Sequence, residues 1–336
     1  MWCAKMKVSE FDHKTILITG GAGFIGSNLA KYLQADAPNS TIIIFDKFQR
    51  NASTKDFMCH SLGHYKNLTG FHGHIICGDL TEQSDLALLD NYKFDFIFHQ
   101  AAISDTRMYD QELLLRTNVN SFTYFLDKAL SDNATLIYAS SAATYGSLPS
   151  PQNEKLTAPE NVYGYSKRVM DDMALQFCQL NPSARVIGLR YFNVYGPHEE
   201  FKGNSSSMIL QLAKQILEGE KPKLFTGSEK IFRDFVYVND VISAIMLAAS
   251  SDHTGVYNVG SGISRSFKDI VDILQKELGT NLSVDYITNP HQGYQDDTRA
   301  CTKSAKEFLK YSASFSLEEG IADYLPYILE INNTNI

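Results

Sequence analysis

The chain has 336 residues, a formal net charge of −8, 44% hydrophobic and 20% charged residues. That is enough chain for one large or two medium domains with a sizeable core, and an ordinary globular composition rather than a disordered one. The acidic balance argues against a nucleic-acid partner, which favours a basic surface, but leaves phosphate-bearing small molecules open because their sites are local. Five cysteines, odd in number and without a C-x-x-C pair, point to a reduced compartment and no structural metal. The first residues lack the apolar stretch of a signal peptide, and no run approaches the 18 apolar residues of a membrane span, so the expectation is a cytoplasmic protein with no membrane partner.

The most informative segment comes early. Ile16-Leu17-Ile18 reads as a strand, Gly20, Gly23 and Gly26 follow in G-x-x-G-x-x-G spacing, and the run from Asn28 to Leu33 reads as a helix. A strand, a glycine turn and a helix place free backbone N–H groups where a diphosphate can approach without meeting a Cβ. A second apolar run, Thr41 to Phe45, ends in Asp46, at the distance where an acidic side chain would hold the hydroxyls of an adenine ribose.

Lys47 to Gly73, with Arg50, Lys55, His64 and Lys66, reads as a polar loop beside the adenosine end. His74 to Cys77 is a short strand running into Gly78, Asp79 and Leu80, where an adenine ring would lie. Phe94 to His99 is the next strand and leads into Gln100, Ala101, Ala102, Ile103 and Ser104, small residues that let a cofactor pass close to the backbone. Glu112 to Leu130 reads as one long helix containing Asn118, and Leu136 to Ala139 as a strand ending at Ser140-Ser141. Glu160 to Leu180 is a helix and Val186 to Tyr191 a strand. The alternation predicts a doubly wound parallel α/β sheet of the Rossmann type, binding at the C-terminal ends of its strands.

In the second half, a polar loop at Pro197 to Gly203 precedes a helix at Ser207 to Glu218. A short strand at Phe235 to Val238 precedes a helix for which Asp240 reads as the N-cap. Gly255 to Gly260 is a strand, Phe267 to Leu278 an amphipathic helix, and the rest a smaller mixed region. The expected division is a dinucleotide-binding domain from 1–192 plus about 235–262. Residues at about 193–234 and 263–336 make a smaller mixed α/β substrate domain.

Tyr163 and Lys167 form Y-x-x-x-K, four residues apart on one helical face. An ammonium there would stabilise a phenolate and lower the tyrosine pKa, as proton abstraction from an alcohol requires. Lys167 would also reach a nicotinamide ribose, and Ser141 would orient a substrate hydroxyl.

Together the segments TGGAGFIGSN, ASSAATYG, NVYGYSK, RYFNVYGP and RDFVYVNDV resemble the extended, nucleotide-sugar-modifying branch of the short-chain dehydrogenase/reductases. Within it, Glu200 to Gly203, Lys223 to Glu229 and Gly293 to Gln295 are similar to the ADP-heptose 6-epimerase family, which supplies heptose for lipopolysaccharide. That resemblance implies a transient oxidation at C6 of an ADP-activated heptose, with Tyr163 and Lys202 as two acid/base groups. It implies cofactor contacts from Phe24, Ile25, Asp46, Lys47, Gln100 to Ser104, Asn118, Ala139, Lys167 and Val194. Asn193, Phe225, Thr226, Gly227, Ser228, Arg233 and Tyr294 would contact the nucleotide sugar, and the chain would be a homo-oligomer. The family's substrate serine and histidine stand here as Asn204 and Gln211. Asp46 taken alone favours NAD, whereas the family's use of NADP would need positive charge from Lys47, Arg50, His64 or Lys66. A UDP- or GDP-sugar 4-epimerase or reductase, GDP-heptose included, is the alternative reading, and a non-catalytic dinucleotide sensor a more distant one.

Overall fold

The computed structural model describes residues 10–49, 61–288 and 297–333. Arg50, Lys55 and Tyr294, to which the sequence assigns roles, lie outside them. The first part of the chain alternates as the apolar runs predict: β1 (Thr15–Thr19), α1 (Phe24–Asp36), β2 (Thr41–Asp46), β3 (His74–Cys77), α2 (Gln83–Leu86) and β4 (Phe96–His99). Then come α3 (Gln111–Leu115), α4 (Ser121–Asp132), β5 (Thr135–Ser141), α5 (Val162–Leu180), β6 (Arg185–Tyr191) and β7 (Asn193–Tyr195). The remainder comprises α6 (Met208–Leu217), β8 (Lys223–Phe225), β9 (Phe232–Tyr237), α7 (Val238–Ala249), β10 (Gly255–Val259), β11 (Ser264–Ser266), α8 (Phe267–Leu278), β12 (Asp285–Ile287) and α9 (Leu317–Asn333).

Among the described residues, seven strands form a parallel sheet in the order β10-β6-β5-β4-β1-β2-β3. The chain winds one way from β1 to β3 and the other from β4 onward, so the topological switch point lies between β1 and β4. Both faces of the inner strands are covered, which is why β1, β2, β4, β5 and β6 are largely apolar rather than alternating, whereas the edge strand β3 is mostly exposed. Ile16, Ile18, Ile42 and Ile44 pack with Leu29, Leu33, Val241 and Ile245 of α1 and α7. Leu17, Ile43 and Phe45 face the other way, onto Phe122, Phe125 and Met170 of α4 and α5. A third core joins Ile209, Leu212 and Ile216 of α6 to Ile270, Val271 and Leu274 of α8 and Ile321, Tyr324 and Ile328 of α9. Two small sheets, β11-β9-β7 and β12-β8, accompany it. α8 closes both ends as its sequence invites, with a Ser266/Asp269 capping box and Gly279 at φ 65°.

Two expectations change. The long helix is not continuous: a π-helical turn at Arg116–Asn120 separates α3 from α4 and contains Asn118. Asp240 is not an N-cap. α7 begins at Val238, and the Asp240 carboxylate instead accepts the backbone N–H groups of Ser314 and Phe315 at 2.8 and 3.2 Å. The polar loop after β2 also holds a short 3-10 turn at Tyr65–Leu68, capped by His64.

Candidate active site

The glycine turn is built at the switch point. Gly20 has φ +68°, and a Cβ there would lie 2.7 Å from the backbone nitrogen of Ala101, so only glycine lets the end of β1 meet the end of β4. Gly23 caps α1 and donates its N–H to Gly20 O at 3.0 Å, leaving the first turn of α1 open to the cleft. The cleft holds about 580 Å³, and Gly20, Gly23, Phe24, Ile25 and Gly26 line its floor. Asp46 stands at the end of β2, 5% exposed, with one carboxylate oxygen accepting Ala22 N–H at 3.0 Å and the other Phe48 N–H at 2.8 Å. Burial pushes its pKa up and these backbone donors pull against that. Lys47 is paired with Asp79 at 2.5 Å. Burial opposes the Asp79 charge, but Lys47 and Thr81 outweigh it and hold that carboxyl below its usual range.

On the other side of the switch point, Gln100, Ala101, Ala102, Ile103 and Ser104 line the cleft. The Gln100 side-chain oxygen accepts from Tyr191 Oη at 3.0 Å, whereas its buried amide nitrogen has no hydrogen-bond partner among the described residues. That donor and the bare glycine turn suit a phosphate- and amide-bearing ligand, and the residues present therefore fit a nicotinamide dinucleotide. Asp79, Leu80, Ala139 and Val194 share the cavity wall.

Tyr163, Lys167, Ser141 and Lys202 all face this cleft. Ser141 ends β5 and its hydroxyl accepts Ala143 N–H at 3.1 Å. α5 starts beside it: Asn161 caps the helix through Gly164 N–H at 2.8 Å, and Gly164 packs so closely on Ala143 O that a Cβ would sit 2.3 Å away. This contact sets Tyr163 beside the Ser141 hydroxyl on the cleft wall.

The lowered tyrosine pKa expected from Lys167 is not what the structure gives. Burial raises the Tyr163 pKa, and the opposing pull comes from Ser141. Lys167, 1% exposed, points its Nζ at Ala139 O at 2.7 Å and is itself pushed down to about 8 by burial, against Asp171. Lys202 sits in the turn Glu200–Ser205, its Nζ 5.2 Å from the centre of the Phe24 ring. Burial lowers its pKa while the buried carboxylate of Glu199 raises it.

Asn193, Asn204, Gln211 and Arg233 also line the cleft. Arg233 is 8% exposed and donates to Phe232 O at 2.8 Å, and Gln211 donates to Ser206 O at 2.7 Å.

Other assigned residues are placed elsewhere. Asn118 is fully buried behind the cleft wall. It bonds both backbone groups of Ile103 and the Ser166 hydroxyl, so it fixes the 101–104 segment against α5. His64 is not among the residues of the cavity wall and stacks on Phe201. Phe225 ends β8 and Thr226, Gly227 and Ser228 follow it, and none is on the cavity wall; Thr226 N–H bonds Ile287 O and Ser228 is 2% exposed.

Sequence reasoning missed Arg107, which lines the cleft mouth and reaches Ser205 at 3.3 Å. Its position just past the small-residue run was the available signal. It also missed Phe235 and Phe267, whose apolar pattern marks them simply as core.

A glycine turn at a Rossmann switch point, facing a Ser-Tyr-Lys constellation across one cleft, defines a dinucleotide-dependent enzyme that works on an alcohol. The chain belongs to the NAD dependent epimerase/dehydratase family, which it matches over residues 16–260, within the extended short-chain dehydrogenase/reductases. It is similar to the Helicobacter pylori ADP-L-glycero-D-manno-heptose-6-epimerase, with 44% identity, 96% of this chain and 99% of that one covered, and a TM-score of 0.87. A Bacillus cereus UDP-glucuronic acid 4-epimerase, in complex with UDP-glucuronic acid and NAD, shares 25% identity over 94% of this chain and 99% of its own, at a TM-score of 0.79. The Thermotoga maritima UDP-glucose 4-epimerase has the same fold at 24% identity, 94% and 99% coverage and a TM-score of 0.83.

Proposed function

We propose that this chain is a nucleotide-sugar epimerase that inverts C6 of an ADP-activated heptose, feeding lipopolysaccharide assembly. The observation that carries the reading is that Tyr163 and Lys202 reach one cleft from separate elements, α5 and the 200–205 turn. Inversion at a carbinol carbon requires proton transfer in two orientations of the substrate, and a second acid/base group serves the second orientation. Likeness to the H. pylori enzyme over nearly the full length supports the choice of sugar.

A bound nicotinamide would accept hydride from C6 and return it to the opposite face of the resulting carbonyl. Around that exchange, Tyr163 in its phenolate form takes the hydroxyl proton while Ser141 orients the oxygen. After rotation about C5–C6, Lys202 in its ammonium form donates a proton to the returning alkoxide. One turnover therefore swaps the protonation of the two groups, which reset before the next. Arg233 matches a diphosphate in fork geometry. The larger sheet and its crossover helices hold the cofactor, and the third core around α6, α8 and α9 carries the sugar side.

NADP is the cofactor we assign, on the family resemblance. Its 2′-phosphate would take the Lys47 ammonium away from Asp79, and NAD is the competitor because Asp46 stands beside that position. The nucleotide released on denaturing the purified protein decides between them. Asn204 and Gln211 stand on the cleft wall where the family has a serine and a histidine, and the second reading is a UDP- or GDP-sugar 4-epimerase or reductase, GDP-heptose included. Incubation with ADP-, GDP- and UDP-sugars, followed by NMR at C4 and C6, separates the two. C6 inversion of ADP-heptose supports the first reading, and C4 inversion of a UDP- or GDP-sugar overturns it. We further propose a cytoplasmic homo-oligomer.

A further inference from the structure

The 3-10 segment after β2 was expected to serve the cofactor, yet its imidazole is aimed at the turn that carries Lys202. The His64 and Phe201 rings stack with centroids 3.7 Å apart and planes 14° from parallel. Two hydrogen bonds accompany the stack. Gln49 donates its side-chain amide to Phe201 O at 3.0 Å, and buried Asn67 donates to His198 O at 3.3 Å, three residues upstream.

The same segment is fastened to the dinucleotide side. His64 N–H and the Asn67 amide both donate to Ala22 O, at 2.9 and 3.0 Å, within the glycine turn. Gly63 lies so close to Asp46 that an added Cβ would fall 2.1 Å from its carboxylate oxygen, and Gln49 N–H bonds Gly63 O at 2.8 Å. One contiguous set of contacts thus runs from the carboxylate at the ribose end, through Gly63 and His64, to the residue preceding Lys202.

We propose that His64 is a positioning residue for Lys202, holding the 200–205 turn through Phe201 so that the lysine points into the cleft. The proposal rests on the reading of Lys202 as the second proton-transfer group. The imidazole is suited to this. Its Nδ1 accepts Lys66 N–H at 3.3 Å, which fixes the ring plane, and burial together with the Lys66 charge lowers its pKa. Without the ring, Phe201 loses its stacked neighbour, and among the described residues the bonds that remain are Gln49 to Phe201 O and Asn67 to His198 O.

A double-mutant cycle on the full-length protein tests this. His64→Ala is expected to lower kcat for epimerisation roughly three- to tenfold, the size of an aromatic pair converted to a rate. KM for the sugar should stay within about twofold, the amount of nucleotide released on denaturation should be unchanged, and His64→Phe should restore turnover. In a Lys202→Met background, His64→Ala should produce no further loss. Phe201→Leu provides the same cycle from the other side of the stack. Losses that multiply in an impaired Lys202→Met enzyme, or a His64→Phe variant no better than His64→Ala, overturn the positioning role while leaving the two-group mechanism in place. Wild-type turnover in Lys202→Met removes that mechanism and the positioning role together.

Discussion

The Ser141 hydroxyl lies beside the Tyr163 phenol, and this neighbour, rather than the Lys167 ammonium, opposes the rise that burial imposes on the tyrosine pKa. Lys167 instead donates a hydrogen bond to Ala139 O at 2.7 Å from a nearly inaccessible position. The two neighbours of the tyrosine therefore have separate duties. In the proposed mechanism, Ser141 tunes the phenol, and Lys167 supplies a buried positive charge to the cleft.

Tyr163→Phe should cut turnover by roughly 10²–10⁴, the usual contribution of a general acid/base group, while the nucleotide remains bound. Ser141→Ala should also slow turnover and move the tyrosine's ionisation to higher pH, because a donor to the phenolate is lost. Steady-state rates across pH, together with the nucleotide content of the purified variants, check both.

Lys202→Met should be about as damaging to epimerisation as Tyr163→Phe, with the fold intact, since Lys202 occupies a turn on the cleft wall outside the three cores. Circular dichroism alongside the NMR assay checks it. Near-normal epimerisation would move the assignment to a mechanism with a single acid/base group.

The Lys167 pKa, pushed down to about 8 by burial, gives a signed pH dependence. Below about 8 the side chain is an ammonium and the site carries its positive charge; above it the charge is lost. kcat should therefore fall as pH rises through that value, and a kcat–pH profile with an alkaline limb there is the expected result.

Much of this arrangement could be read in advance, for identifiable reasons. β1 and β2 are continuous β-branched runs because both sheet faces are covered, and the glycine turn sits where close approach to Ala101 excludes a side chain. Tyr163, Lys167 and Ser141 were legible because a helical spacing and a strand end are local signals. Asn118 was assigned to the cofactor, but its bonds to Ile103 and Ser166 depend on a π turn that leaves the apolar periodicity undisturbed. Asp240 had the residue type of a cap, and its partners at 314–315 are some seventy residues away, beyond any local pattern. Lys202 lies on a polar turn with no periodic signature, so only the resemblance singled it out. The His64–Phe201 stack joins residues with no sequence relationship at all.

Two buried histidines predict how the fold responds to acid. Burial, with the Lys167 and Lys31 charges respectively, pushes His99 and His198 down to about 3. His198 is enclosed by Ser27 Oγ at 3.0 Å and Lys31 Nζ at 3.1 Å, and His99 by Thr19 Oγ1 at 2.8 Å. Their folded pKa values lie below the unfolded value of about 6.5, so the unfolded chain binds more protons in between. Their contribution is fully present above about pH 6.5 and is lost as pH falls, at about 1.4 kcal/mol per pH unit for each. Denaturant unfolding between pH 7 and about 5 should show this slope, and His198→Asn should remove one histidine's share of it.

The most direct test of the central claim uses ADP-heptose carrying deuterium at C6, converted in ordinary water and followed by NMR. Hydride passed to a held nicotinamide and back should leave the deuterium on C6 of the inverted product, with no hydrogen from solvent at that carbon. Solvent hydrogen at C6 would mean inversion by deprotonation and reprotonation of carbon, and would contradict the account.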